Sequence, residues 1–217
     1  MSEADLDVRD ARGEWRPKDL PKPSAMWNRP VRLRIILQSI FGHDGVLRGK
    51  NLIYMGIAVL AWFFFTPSIE RTQTLAIGWI AEIYLRNVAL LILIAGGLHL
   101  RLYVQKYQGL KFKFNARWLA KKNRAFLFGN QTWDNIFWST VSGCGFWTAY
   151  EVLTYWAYAN QVIPFLEWGS QPVYFVLLYL AVHPIREVHF YFTHRLLHWK
   201  PLYKSAHYLH HKNTNTG

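Results

Sequence analysis

Nine histidines occur in the 217 residues, and five of them fall in one short window: His194-Arg-Leu-Leu-His198, eight further residues, then His207-Tyr-Leu-His210-His211. On a helix, spacings of i,i+4 and i,i+3,i+4 turn the imidazoles to one side, so each cluster can offer several nitrogens to a common point. Packing alone does not favour so many histidines together. Burying them neutral and unpaired costs free energy that leucine would not, and charging them together makes them repel. A metal relieves both problems by accepting the nitrogen lone pairs. Imidazole suits zinc, copper, iron and nickel alike, and no His-Glu-x-x-His occurs, so the metalloprotease pattern is absent.

Upstream, His183 and Glu187 continue the same helical periodicity into His194 and His198, a polar stripe along one helix that Pro184 can bend. His189, five residues before His194, is turned away from that stripe, and His43 and His99 read as loop, cap or core histidines.

The elements that must hold these clusters are apolar. Hydrophobic residues make up 52% of the chain and aromatics 17%, yet the formal charge is +12 and the mean hydropathy is zero, which argues for greasy segments alternating with basic ones. Leu52–Thr66 is uncharged but, at fifteen residues, short of the ~20 that span a bilayer unaided. A longer run from Leu75 to Leu98 contains Glu82 and Arg86, placed to pair four apart on one helix face. Further runs cover Ile136 to Ala159 and begin again at Val173.

Between the second and third runs, residues 99–133 carry Arg101, Lys106, Lys111, Lys113, Arg117, Lys121, Lys122 and Arg124 and no acid, whereas 160–172 carry only Glu167. That alternation satisfies the positive-inside rule, so the basic loop is expected in the cytoplasm and nucleic acid is not the expected partner. Phe112, Phe114, Trp118, Phe126, Phe128 and Trp133 interleave with the bases, as in a segment lying on anionic headgroups. Asn130-Gln-Thr132 is a formal glycosylation sequon that would go unused there.

The reading is an all-α chain: a polytopic membrane helical bundle with about four transmembrane helices and a cytoplasmic histidine-rich helical cap. Residues 1–50 form an N-terminal arm, in which Val31, Leu33, Ile35, Ile36 and Leu37 can lie on a membrane or protein face. Residues 51–182 hold the spans, and 183–217 the histidine region, with both termini cytoplasmic. Residues 1–30 contain no apolar stretch of signal-peptide type, so insertion is expected to depend on the internal spans. Cys144 is the single cysteine, which excludes an intrachain disulfide framework or a thiolate metal cage.

A metal site just outside a bilayer is well placed to act on lipid chains. Unactivated C–H bonds need an oxidant, and iron with O2 supplies one where redox-silent zinc cannot.

The stretch from Glu187 through His194-Arg-Leu-Leu-His198 to His207-Tyr-Leu-His210-His211 resembles the fatty acid hydroxylase and sterol desaturase superfamily of integral-membrane di-iron oxygenases. The resemblance is close over about 25 residues and loose over the hydrophobic layout upstream. It implies that His194, His198, His207, His210 and His211 ligate iron. It further implies that Glu187 orients a ligand imidazole, with Tyr191 assisting, and that the cofactor is a pair of Fe ions with O2 as co-substrate. The activity implied is hydroxylation or desaturation of a sterol, fatty acyl or related lipid, with electrons from a cytochrome or ferredoxin-type carrier. Family members carry further histidines downstream, so the resemblance leads one to expect that these 217 residues are the N-terminal part of a longer enzyme. A non-catalytic membrane protein binding zinc or haem through the same histidines, or an inactive fragment of the enzyme, is the alternative.

Overall fold

The computed structural model describes residues 33–42, 49–111, 113, 115–208 and 211. The described residues are mostly helical and contain no strand, in keeping with the all-α expectation; an isolated bridge joins Lys121 and Asn130. Most of the N-terminal arm, with Val31 and His43, lies outside the described residues, as does His210.

Helix α1 (Leu33–Phe41) is a short amphipathic segment with Leu33 and Leu37 exposed. Helix α2 (Gly49–Phe65) takes up the first apolar run. Pro67 ends it, because a residue preceding proline is disfavoured in the α region. Thr66 closes the last turn by donating its hydroxyl to the Ala61 carbonyl at 3.0 Å.

Helix α3 (Ile77–Val104) is a 28-residue helix that widens into π turns at Ile92–Gly96 and Leu100–Val104. It is long and apolar enough to cross a membrane, with mean hydropathy 1.7. Among the described residues it alone meets that standard; Asn51–Phe65 is apolar but shorter. Helix α4 (131–159) is long enough but polar residues such as Asp134, Asn135, Ser139 and Thr140 dilute it. Helix α5 (Pro172–Leu197) is apolar only until Arg186, Glu187 and the histidines enter. Among the described residues, length and composition thus single out one candidate span; the four that loop charge predicts are not shown. Bulky side chains such as Phe63, Phe64 and Leu93 point outward from α2 and α3, a distribution expected where the surroundings are apolar.

The packed centre is small. Trp79 and Ile83 of α3 meet Val152 and Tyr155 of α4, flanked by Ile69, Ile80 and Tyr158. Thr72, fully buried, ties the intervening turn to α4 by donating to the Ile69 carbonyl at 2.7 Å and the Tyr155 carbonyl at 3.2 Å.

The Glu82–Arg86 pairing is replaced by two others. Glu82 receives Arg71 from the preceding turn, at 2.9 and 3.2 Å. Arg86 points into the bundle, where the carboxylate of Glu151 on α4 accepts its guanidinium. Residues four apart on one helix point the same general way, and here each finds a fixed partner on another segment that neighbouring side chains on one helix could not provide.

The basic loop is shorter than 99–133, since α3 runs to Val104 and α4 begins at Gln131. Three basic side chains at its start are engaged locally: Arg101, in the last turn of α3, stacks 3.9 Å from the Tyr107 ring, and Lys106 and Lys113 of the loop lie 4.7 and 5.2 Å from that of Trp118. Asn130, the sequon residue, caps α4 by accepting the Thr132 N–H at 2.9 Å. Buried Asp134 and Gln131 pin the loop to that helix start by accepting the N–H groups of Leu127 at 2.9 Å and Ala120 at 2.8 Å.

Candidate metal centre

Helix α5 carries the first cluster. Pro172 sits in its first turn, where a missing N–H costs nothing, and the helix continues through Pro184 to Leu197. His198 is its C-cap, its N–H shared between the carbonyls of His194 and Arg195 at 3.2 Å each. The chain then breaks: Trp199 is extended, with φ −64° and ψ 132°. Pro201 starts a second short helix, α6 (200–207), made of Lys200–Leu202 and a π turn at Tyr203–His207. This break folds α6 back against the end of α5. Histidines nine and thirteen positions apart thereby close to ring-centroid distances of 4.6 Å between His198 and His207 and 4.7 Å between His194 and His207.

Three donor atoms lie close enough together that they could hold a metal ion. One ring nitrogen from each of His194, His198 and His207 lies within 4.8 Å of the others. The Nε2 atoms of His194 and His198 are 3.2 Å apart. Ligands held about 2.1 Å from one ion stand roughly 3.0 Å apart in a cis octahedral arrangement and about 3.4 Å apart in a tetrahedral one, so the observed spacing suits either. A single N–H···N hydrogen bond would give a similar distance for this pair, but it would not draw in a third imidazole. His207 is buried, His194 partly buried and His198 exposed, which gives the cluster a closed back and an open front.

His211 joins the group, with its ring 4.7 Å from His207 and 5.3 Å from His198. Four of the five histidines singled out by spacing are therefore adjacent, and the fifth, His210, lies outside the described residues. Phe190 covers one side of His194 at 5.3 Å.

The two residues expected to assist are placed differently. Glu187 is exposed on α5, and no contact between its carboxylate and a histidine occurs among the described residues. The Tyr191 hydroxyl accepts a hydrogen bond from Arg195 Nη1 at 2.8 Å and is turned to the exposed side. The side chain of His183 is outside the described part, and exposed His189 stays apart from the cluster.

Sequence reasoning missed Tyr203. Its ring lies 5.9 Å from His198, 6.0 Å from His207 and 5.5 Å from His211, so it forms one wall of the cluster. The signal was present, since Tyr203, His207 and His211 follow one another at four-residue intervals and share a helix face.

Comparison with protein-family models, with characterised proteins and with solved structures returns no match to this chain. The site must be judged on its own residues. They comprise three converging imidazoles, a fourth alongside, an aromatic wall and the basic side chains Arg195, Lys200 and Lys204 on the same segments, a donor set suited to a borderline divalent metal.

Proposed function

We propose that this chain holds iron through His194, His198, His207 and the neighbouring His210 and His211, and serves a membrane-bound, O2-dependent hydroxylase or desaturase acting on lipid. The observation that carries the reading is the convergence of His194, His198 and His207 within 4.8 Å, from two helices separated by a backbone break. A dinuclear centre is the arrangement implied by the resemblance of the two histidine motifs, and bound iron would supply the O2 chemistry that an unactivated C–H bond requires.

The chain's own contribution is positional. Helix α5 fixes two imidazoles at one helical turn, α6 brings the third from behind, and Tyr203 flanks the rings of His198 and His207. Exposed His198 marks the side from which O2 and substrate would enter. Glu187 would have to change rotamer to orient a ligand histidine. Arg195, Lys200 and Lys204 suit an acidic electron carrier by long-range attraction. In this reading the cluster lies at the cytoplasmic membrane surface, the side favoured by the basic residues between 99 and 133 under the positive-inside rule.

A set of three converging histidines also fits a mononuclear zinc site, the favoured second reading. The test is anaerobic reconstitution of the full-length protein in lipid nanodiscs, with Fe(II) and separately with Zn(II), followed by metal analysis and by exposure to O2 and reductant with mass spectrometry of the lipids. Retained iron and oxidised lipid, both lost in His207→Ala, are the expected result. Equal metal content in the wild type and His207→Ala overturns the site, and zinc retention without O2-dependent lipid oxidation establishes the second reading.

A further inference from the structure

A cleft of about 470 Å³ opens between α2, α3 and α4, on residues none of which belongs to the histidine region. Its walls are apolar: Ile57, Ala58 and Ala61 of α2 face Leu90 and Ile94 of α3. Half-exposed Tyr54, Trp62 and Trp147 stand among the lining residues, so the cleft communicates with the outer surface of the helices, where lipid chains would lie. Its size is within the range of about 300–1,000 Å³ typical of small-molecule sites.

The cleft has a polar end. Arg86 and Glu151 both line it. The Arg86 side chain is 9% exposed and the Glu151 side chain 26%. Asn87 supports both, accepting from Arg86 Nε at 3.1 Å and Nη2 at 2.9 Å, and donating to Glu151 Oε2 at 3.0 Å and Thr148 Oγ1 at 3.2 Å. Ionisable groups within an apolar segment are costly, and where they persist they mark a ligand or ion path by default.

The hydrogen-bond inventory decides which head group fits. Arg86 is fully engaged: Nε and Nη2 serve Asn87 and Glu151, and Nη1 donates to Thr66 Oγ1 at 3.3 Å and the Phe65 carbonyl at 3.4 Å. Glu151 uses Oε2 for both of its bonds, and Oε1 accepts none among the described residues. The pair as a whole is neutral. A hydroxyl can donate to Oε1, whereas a carboxylate would meet Oε1 as a like charge and leave the apolar cleft with a net negative charge.

We propose that the cleft between α2, α3 and α4 binds a neutral amphiphile from the bilayer, an apolar chain ending in a hydroxyl, with Glu151 Oε1 as the hydroxyl's acceptor and Arg86 holding that carboxylate in place. The site depends on none of the histidines, and metal-free protein binds equally well.

The full chain in phosphatidylcholine nanodiscs is photolabelled with diazirine-bearing hexadecanol, with unlabelled hexadecanol and palmitate as competitors, and the labelled peptides are mapped by mass spectrometry. Saturable labelling on α2 and α4 is expected, with hexadecanol competing at least ten-fold better than palmitate. Ala61→Leu, which fills the cleft without touching the polar end, lowers labelling at least five-fold while far-UV circular dichroism stays unchanged. Glu151→Gln leaves a lone guanidinium and reverses the preference toward palmitate. His207→Ala leaves labelling unaltered, which separates this site from the metal centre. Unsaturable labelling spread over all outward helix faces, equal competition by palmitate in the wild type, indifference to Ala61→Leu, or an unreversed preference in Glu151→Gln would each overturn the proposal.

Discussion

Arg86→Leu removes the largely buried cation that pairs with Glu151 of α4, and its cost can be reasoned from the contacts it leaves behind. Glu151 loses its counter-charge, and Asn87 Oδ1 loses two donors, those at 3.1 and 2.9 Å. Breaking a buried pair by removing one partner costs about 3–5 kcal/mol. Glu151 stays 26% exposed and keeps the Asn87 Nδ2 bond at 3.0 Å, which places the expected loss at the low end, about 3 kcal/mol. The double variant Arg86→Leu/Glu151→Leu should recover most of that loss, because apolar replacement of a whole buried pair is often neutral. Equilibrium unfolding in detergent micelles, run as a double-mutant cycle, reads the coupling directly. A loss below about 1 kcal/mol for the single variant, or a double variant no more stable than the single, would refute the reasoning that the pair is desolvated and mutually dependent.

Three further outcomes follow from the described contacts. His207→Ala should lower metal affinity by more than the roughly 10–100-fold typical of losing an outer-shell partner, as measured by competition with a chelator, whereas His189→Ala should leave it unchanged. Asn130→Ala removes the cap on α4 and should cost about 1 kcal/mol in the same unfolding assay, with Asn130→Asp close to neutral. Glu70 is held below the ordinary carboxylate range, first by a hydrogen bond to its own backbone N–H and then by Ser68. A carboxyl whose folded pKa is depressed contributes stability above its unfolded pKa and loses it as pH falls through the folded one. The unfolding profiles of wild type and Glu70→Gln should therefore differ at neutral pH and converge as pH falls below the usual carboxylate value. Parallel profiles down to that acid limit would rule the contribution out.

The sequence by itself determined the helical character and the histidine cluster, because both rest on local periodicity. Apolar runs closed by Pro67 and opened by Pro172 mark helix boundaries within the chain, and i,i+4 spacing places His194 beside His198 whatever the rest of the fold does. Tertiary structure decided what meets across gaps. The break at Trp199 brings His207 to His194, and no spacing rule encodes the direction of a chain reversal. It also decided the fate of the intramembrane-type charges. Glu82 and Arg86 are four apart and read as a pair, yet Arg86 is bound to Glu151, sixty-five positions away, because only helix packing determines which acceptor is present in a buried environment. The cleft whose polar end is formed by Arg86 and Glu151 arises from the same packing. It depends on three helices at once, and no single stretch of sequence contains it.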